Sequence, residues 1–361
     1  MKYAKLHNGD NALINRIESE LTVELANHGY FQAPFAEPDI RFILNFTELE
    51  HPRAVHRREQ NEFVVSIAVL ENEADDLRYL AYNTLIRTLS NLVILIKPAG
   101  ENAAEVYCIT PEVGFYHFPY APDQLYRAMA PIIEAHFVID NKVFYDLPEK
   151  YLQTPVVQEL KHHGTALDEL GVLPAPFPMK EVLSEENIEH VYKLFRINGL
   201  SYGNLSARAQ VPEFGRNTFW MTARGADKAH LKGVGQDILL VEGYEETSGN
   251  IIVHQPPDGN KRIRVSVDAI EHLLIYQTFP AVGAIVHVHA WMQGIHCTRQ
   301  NYPCGTIELA REVVHLLKTT PSPSRAVIGL KNHGLTITGP NLEDIFSRIS
   351  GKLLKEVPMM P

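Results

Sequence analysis

No stretch of this sequence holds the roughly 18 or more uninterrupted apolar residues of a membrane span. It also lacks a surplus of base. Lys and Arg number 33 against 43 Asp and Glu, giving a formal net charge of −10. Binding a phosphate backbone needs a Lys/Arg excess on at least one face, so neither nucleic acid nor membrane is an expected partner. Cysteine is scarce: Cys108, Cys297 and Cys304 are an odd number for a disulfide framework, and a 361-residue chain does not need staples. The stretch Met1 to Asn8 lacks the apolar core of a signal peptide. A reducing cytoplasm is the expected compartment. What the chain has in plenty is histidine, 17 in all.

With 45% hydrophobic and 21% charged residues, the chain has the balance of a globular protein. Its length suits two ordinary domains. The run Gly171-Val172-Leu173-Pro174-Ala175-Pro176-Phe177-Pro178 can neither continue a helix nor sit inside a sheet. It sets the expected border, with one domain over 1–170 and a second over 171–361.

In the first domain, apolar runs of strand length occur at Phe42–Phe46, Phe63–Leu70, Leu92–Ile96, Val106–Thr110 and Gly114–Tyr120. Leu77, Leu80, Ala81, Leu85 and Leu89 predict a helix over Asp75–Ser90. Pro122 and Asp123 open another, to Phe137. This is a smaller α+β domain with helices on one face of a mixed or antiparallel sheet. No catalytic motif stands out in it, and His51, His56 and His117 read as ordinary surface or core residues. In the second domain, Ser184 starts a helix carrying Ile188, Val191, Leu194 and Phe195, which Asn198-Gly199 stops. Strands are predicted at Phe219–Thr222, Asp237–Val241, Ile251–Val253, Ile263–Val267, Val282–Val286, Ala326–Leu330 and Leu335–Thr338. Helices are predicted at Asp268–Phe279, Ile307–Leu317 and Leu342–Leu354. The fold class is α/β (α+β).

His287-Val288-His289 ends an apolar strand. Residues two apart on a strand point to the same face, so one ion can bridge both imidazoles. His333 follows another apolar strand, and Gly334 allows a sharp turn that brings in a third. Three imidazoles with an open fourth position describe a catalytic zinc site. The pattern alone is weak, since a chain with 17 histidines holds about one H-x-H by chance. His162-His163 looks like such a coincidence on an exposed helix end.

The surrounding segments add to it. Gly203-Asn204-Leu205-Ser206-Ala207-Arg208, Met221-Thr222-Ala223-Arg224-Gly225, Asp237 to Val241, Ser266-Val267-Asp268, Tyr276 to Ala290, Gly305 to Ala310 and Asn332-His333-Gly334 stand in order. Together, over about 184–354, they resemble the class II aldolase/adducin family. The resemblance implies a central, mostly antiparallel sheet flanked by helices. It implies Zn²⁺ or another divalent ion on His287, His289 and His333. It also implies a cyclic homo-oligomer, usually a tetramer, with the site between subunits. The implied chemistry is that of a lyase. The metal chelates a carbonyl and a neighbouring hydroxyl and stabilises the enediolate. Asp268 falls where the family places its acid, and Asn204, Ser206, Arg224, Gly225 and Ser266 where it binds the substrate's anionic group.

Three residues depart from the family pattern. Asp268 replaces a glutamate, which withdraws the carboxylate by roughly 1–1.5 Å. Arg224 replaces a threonine, and reads either as a fork gripping a carboxylate or phosphate or as a surface ion-pair residue. Val267 replaces a serine. Asp268 is open to a plainer reading, as the N-cap of its helix. Tyr302 and Tyr116 are stand-ins for the family's catalytic tyrosines, while Cys304 and His296 read as structural. Three functions remain: an aldolase-type lyase acting on a small hydroxy-carbonyl compound, the same metal site used for decarboxylation, dehydration or epimerisation, and a non-catalytic adducin-like binding module.

Overall fold

The computed structural model describes residues 1–7, 11–72, 74–100, 103–112, 114–172, 184–186, 188–189 and 202–361. Two compact units emerge, the first ending at Ala135 and the second beginning at His136, with the described residues of 184–189 and Met359–Pro361 grouped with the first.

The first unit strings together β1 (Lys2–Leu6), α1 (Ala12–Asn27), β2 (Phe31–Gln32), β3 (Ile40–Phe46), β4 (Phe63–Val69), α2 (Leu77–Thr88), β5 (Leu92–Pro98), β6 (Ala104–Ile109), β7 (Phe115–Pro119) and α3 (Pro122–Ile133). The sheet order is β2-β1-β3-β4-β5-β6-β7. The strands from β2 to β5 run parallel, while β6 and β7 turn antiparallel. Phe63 to Ala68 and Leu92 to Ile96 are buried on both faces, as central parallel strands are. The mixed sheet agrees with the sequence reading, but three elements precede the expected ones. Helix α1 was legible: Ile14, Ile17, Leu21 and Leu25 are buried at helical spacing, and Asn11 accepts hydrogen bonds from the Leu13 and Ile14 amides as N-cap. His51, His56 and His117 are all exposed.

The second unit holds β8 (Asp140–Phe144), α4 (Pro155–Glu169), β9 (Asn204–Arg208), β10 (Phe219–Thr222), β11 (Ile238–Glu245), β12 (Asn250–His254), α5 (Ala269–Thr278), β13 (Ala284–Val288), β14 (His296–Cys297), α6 (Ile307–Thr319), β15 (Val327–Leu330), β16 (Gly334–Gly339) and α7 (Leu342–Ile349). Its nine strands follow the order β14-β15-β16-β13-β9-β10-β11-β12-β8. All neighbours are antiparallel except β14 with β15 and β12 with β8. This is the mostly antiparallel sheet that the resemblance implies. Its core includes Trp220, Phe219, Tyr276 and Ile285, each no more than 1% exposed. Burying an apolar side chain of Val or Leu size contributes about 1.5–3 kcal/mol.

Four expectations change. The border at 170/171 falls inside the second unit, because β8 extends its sheet and Val138, Leu147, Val157, Leu160 and Leu167 join its core. His254 of β12 reinforces that attachment, lying between the carboxylates of Asp146 and Glu242 at 2.7 Å each. The stretch Ile263–Val267 is not a strand. The Val265 amide donates to the Asn141 side chain and only an isolated bridge joins Val265 to Ala223, so the chain turns here into α5. The last helix stops at Ile349, ahead of the left-handed Gly351. His162 and His163 lie within α4, and His163 is buried, with its Nδ1 donating to the Glu159 carbonyl. The helix expected from Ser184 has helical residues at 185–186 and 188–189. Its later residues Val191, Leu194 and Phe195, its stop at Asn198-Gly199 and the run Leu173 to Pro178 lie outside the described residues.

Candidate metal centre

Strand β13 is apolar and wholly buried apart from what its end delivers. That end carries His287 and, just beyond it, His289. The turn before β16 brings His333 alongside, with Asn332 in the left-handed region at φ 58°. The ring centroids lie 5.2 Å (287–289), 4.7 Å (287–333) and 4.8 Å (289–333) apart. One ligand atom from each residue lies within 4.8 Å of the others, the only such three-residue group of metal-ligating side chains among the described residues.

The donor chemistry fits a divalent ion. His287 Nδ1 lies 3.0 Å from the Leu335 carbonyl, which can only accept, so Nδ1 carries the hydrogen and Nε2 keeps its lone pair for a cation. His289 Nε2 and His333 Nε2 stand 3.2 Å apart. Two imidazole nitrogens at about 2.0–2.1 Å from a tetrahedral zinc would be roughly 3.3 Å apart. Burial, helped by the neighbouring His287 ring, holds both His289 and His333 well below the usual imidazole range. They are therefore neutral, the form that ligates. Gly334 makes the assembly possible. A Cβ there would lie 2.2 Å from the Val288 carbonyl oxygen and 3.1 Å from the His289 Cα. Gly334→Ala should thus push β16 off β13, destabilise the unit by about 1–3 kcal/mol and lower metal content. A thermal melt and elemental analysis check this, and an unchanged melt with full metal would refute it.

Asp268 sits at the N-cap position of α5, yet its side chain makes no capping bond. It accepts instead from Asn204 Nδ2 at 2.6 Å. Asn204 is paired with His287 across β9 and β13, so the two side chains leave the same sheet face. The structure thus brings together Asp268, Asn204 and the histidines. Ser206 goes elsewhere. Fully buried, its hydroxyl lies 2.8 Å from both His272 Nδ1 and the Tyr276 hydroxyl. Ser266 is buried beside Asp268, its amide bonded to the Thr222 carbonyl. Arg224 is partly buried and donates from Nη2 to the Ile139 carbonyl at 2.9 Å, next to the left-handed Gly225. Tyr302 packs partly buried on the core, and Cys304 and His296 make no part of the triad. Tyr116 belongs to β7 of the first unit, buried with its hydroxyl bonded to the Cys108 thiol.

Several residues of this region escaped the sequence reading. Tyr202 rests its ring 5.0 Å from that of His289. Lys228 is 1% exposed, and burial pushes its ammonium down to about 7 against the pull of Asp227, Asp268 and Asp237. In sequence it sits in a charged turn and reads as surface. His272 is fully buried and pushed down to about 3, by burial first and then by His287. Glu271 is buried too, with Oε1 accepting from the Thr336 hydroxyl at 2.6 Å. The usable signal was their spacing: Glu271 and His272 lie three and four residues after Asp268, on its helix face.

Residues 189–298 match the family model for the class II aldolase and adducin N-terminal domain. That span contains Asp268, His287 and His289, and His333 lies beyond it. Among solved structures, an L-fuculose 1-phosphate aldolase is 20% identical, with TM-score 0.36, over 54% of this chain and 81% of that one. YgbL of Klebsiella pneumoniae, described as a putative aldolase/epimerase/decarboxylase, is 21% identical, with TM-score 0.33, over 53% and 82%. An aldolase II superfamily protein from Pseudomonas syringae is 16% identical, with TM-score 0.32, over 55% and 73%. No curated protein sequence matches significantly. The stretch 189–298 of this chain is thus similar to the class II aldolase and adducin N-terminal domain.

Proposed function

We propose that the protein is a zinc-dependent, aldolase-type lyase acting on a small hydroxy-carbonyl substrate with an anionic group. The observation that carries this reading is the His287–His289–His333 triad, His287 and His333 buried and His289 partly so, with the Asp268 carboxylate held by Asn204, the cross-strand partner of His287. His287, His289 and His333 would hold a divalent ion there, and it would supply Lewis-acid chemistry at a substrate carbonyl. Asp268 moves a proton at the carbon or hydroxyl beside that carbonyl, and Asn204 fixes its orientation. A scaffold has no need of three neutral imidazoles turned toward one point, which argues against the binding-module reading. The shorter acid at 268 favours one second reading, the same centre used for epimerisation, dehydration or decarboxylation, since each starts from the same chemistry at that carbonyl. The working form is taken to be a cytoplasmic homo-oligomer, a tetramer by the family pattern. No helix among the described residues is long and apolar enough to cross a membrane.

Incubating the zinc-loaded chain with a panel of hydroxy-carbonyl compounds and weighing the products tests the reading. Cleavage products support the lyase, mass-neutral or dehydrated products support the second reading, and no turnover of any compound defeats both. Arg224 supplies the next test. Its guanidinium presents five N–H donors in a planar fork that suits a carboxylate or phosphate, and the Ile139 carbonyl steadies that fork through Nη2. Charge-assisted hydrogen bonds are each worth roughly 1.5–3 kcal/mol. Arg224→Ala should therefore raise KM by about 10–100-fold with metal content unchanged. A wild-type KM for every active compound would reduce Arg224 to a brace for Ile139.

A further inference from the structure

The sheet of the first unit changes its winding between β1 and β3. Glu18 of α1 takes both Lys5 and His7, so the odd residues of β1 face α1. Leu6 faces the other way, and its register partner Asn45 with it. From Asn45 a run of hydrogen bonds passes through Ser66 and Ser90 to Thr88 at the end of α2. The two helices thus cover opposite faces of the sheet. The connection after β3 goes to the α2 face, where the Val55 amide donates to the Thr88 carbonyl. Strands β1 and β3 are therefore parallel neighbours whose chains leave toward opposite faces. Such a reversal opens a crevice outside the carboxyl ends of the strands, the usual place for a ligand in an open α/β sheet.

The connection from Thr47 to Glu62 runs 16 residues without helix or strand. Loops of that length inside a compact unit are uncommon and usually functional. This one is pinned at its far end, where Arg58 is tied to Glu62 and to the Phe35 carbonyl. Nearer its start, Arg53 spans the crevice. Its amide donates to the Thr47 hydroxyl after β3 at 2.8 Å, and its Nη2 to the His7 carbonyl after β1 at 2.9 Å. The stretch His51 to Arg58 holds three arginines and two histidines but no acid, in a chain of net charge −10. Beneath Arg53 lies Asn45, wholly buried. Its Nδ2 donates to the Arg53 carbonyl at 3.0 Å and to the Ser66 hydroxyl at 2.9 Å. Its Oδ1 is buried without a partner among the described residues. An amide oxygen left so is costly unless something supplies a donor.

We propose that the first unit binds a small phosphorylated compound in the β1/β3 crevice. The Arg53 guanidinium, held across the two strand ends, offers the remaining N–H groups of its planar fork to the phosphate. A phosphate, nearly doubly charged at neutral pH, suits a segment with this many cations and no acid better than a carboxylate does. Glu18 does not oppose the anion, since Lys5 and His7 take its two oxygens. A hydroxyl of the ligand, directly or through one water, gives Asn45 Oδ1 the donor it lacks. The site lies wholly within the first unit and rests on no part of the aldolase-type reading.

Isothermal titration calorimetry of the full zinc-loaded chain with glycerol 3-phosphate tests this. An Arg224→Ala background keeps the other proposed anion fork out of the measurement. Binding should be one-to-one with a Kd of about 1 mM or tighter, which two or three charge-assisted hydrogen bonds can supply. Methyl phosphate, which has no alcohol group, should bind about 2–10-fold more weakly. Glycerate, with a carboxylate in place of the phosphate, should also bind more weakly. Arg53→Gln should weaken glycerol 3-phosphate by about 10–100-fold. Arg53→Lys keeps the charge without the fork, so it should lose roughly tenfold with the melting temperature held. If the Gln variant does not fold, the Lys variant decides. Arg127→Gln, on the exposed side of α3, should leave the affinity unchanged. No saturable binding, full affinity in a folded Arg53 variant, an equal loss in Arg127→Gln, or tighter binding of glycerate would each overturn the proposal. Equal binding of methyl phosphate would overturn the part given to Asn45.

Discussion

His287→Ala and His333→Ala should each leave the purified chain without a divalent ion, where the wild type should hold about one per chain. With one imidazole gone, two neutral ligands remain, fewer than catalytic zinc sites use. Losing an outer partner of a metal ligand already costs about 10–100-fold in affinity, and losing a ligand costs more. His287 carries further weight because the Leu335 carbonyl fixes its tautomer, so no alternative nitrogen of the ring is free to take over. His162→Ala is the control. That histidine is exposed on α4 and takes no part in the triad, so its loss should leave metal content at the wild-type value. Elemental analysis decides, and full metal in both site variants would remove the triad as the metal centre. Folding should survive in both, since the core of the second unit is apolar and independent of the histidines.

The parts of this site that were legible in the sequence are those governed by period and order. An apolar run ending in H-x-H gives a buried strand with two rings on one face, and that holds for β13. The nineteen positions from Asp268 to His287 leave room for one helix and a turn, which is what α5 and the bend before β13 occupy. What stayed hidden depends on pairing between distant segments. Ser206 belongs to a recognisable motif and shares the β9 face of Asn204, yet it lies one pleat further along the strand and meets His272 and Tyr276 of α5. Lys228 sits among charged neighbours, and only the packing of α4, whose Gly164 presses on the Lys228 backbone carbonyl, shows that the turn is interior. The prolines after Gly171 signalled a boundary. The real division came earlier, because β8 pairs in parallel with β12 over a hundred residues away. No local pattern announces such a crossover.

Asp268→Asn should leave a folded, metal-loaded chain whose turnover falls by about 10²–10⁴, the range of general acid–base catalysis. A cap role predicts little harm, because Asn caps a helix about as well as Asp. The structure gives that role no support: Asp268 occupies the N-cap position with ψ at 6° and makes no side-chain capping bond. Its oxygen is instead held by Asn204 Nδ2. That bond can survive the substitution, since the amide oxygen of the introduced side chain accepts from Asn204 Nδ2 as the carboxylate does. Asn204 Oδ1, buried without a partner among the described residues, could take the new amide hydrogen in turn. The substitution therefore removes charge and basicity while keeping shape and hydrogen bonding. Two neighbours should register the lost charge. Asp268 pulls Lys228 upward and pushes Glu271 upward, so without it both should titrate lower. A normal rate in a folded, zinc-loaded Asp268→Asn chain would take the carboxylate out of the chemistry and leave it as a brace for Asn204.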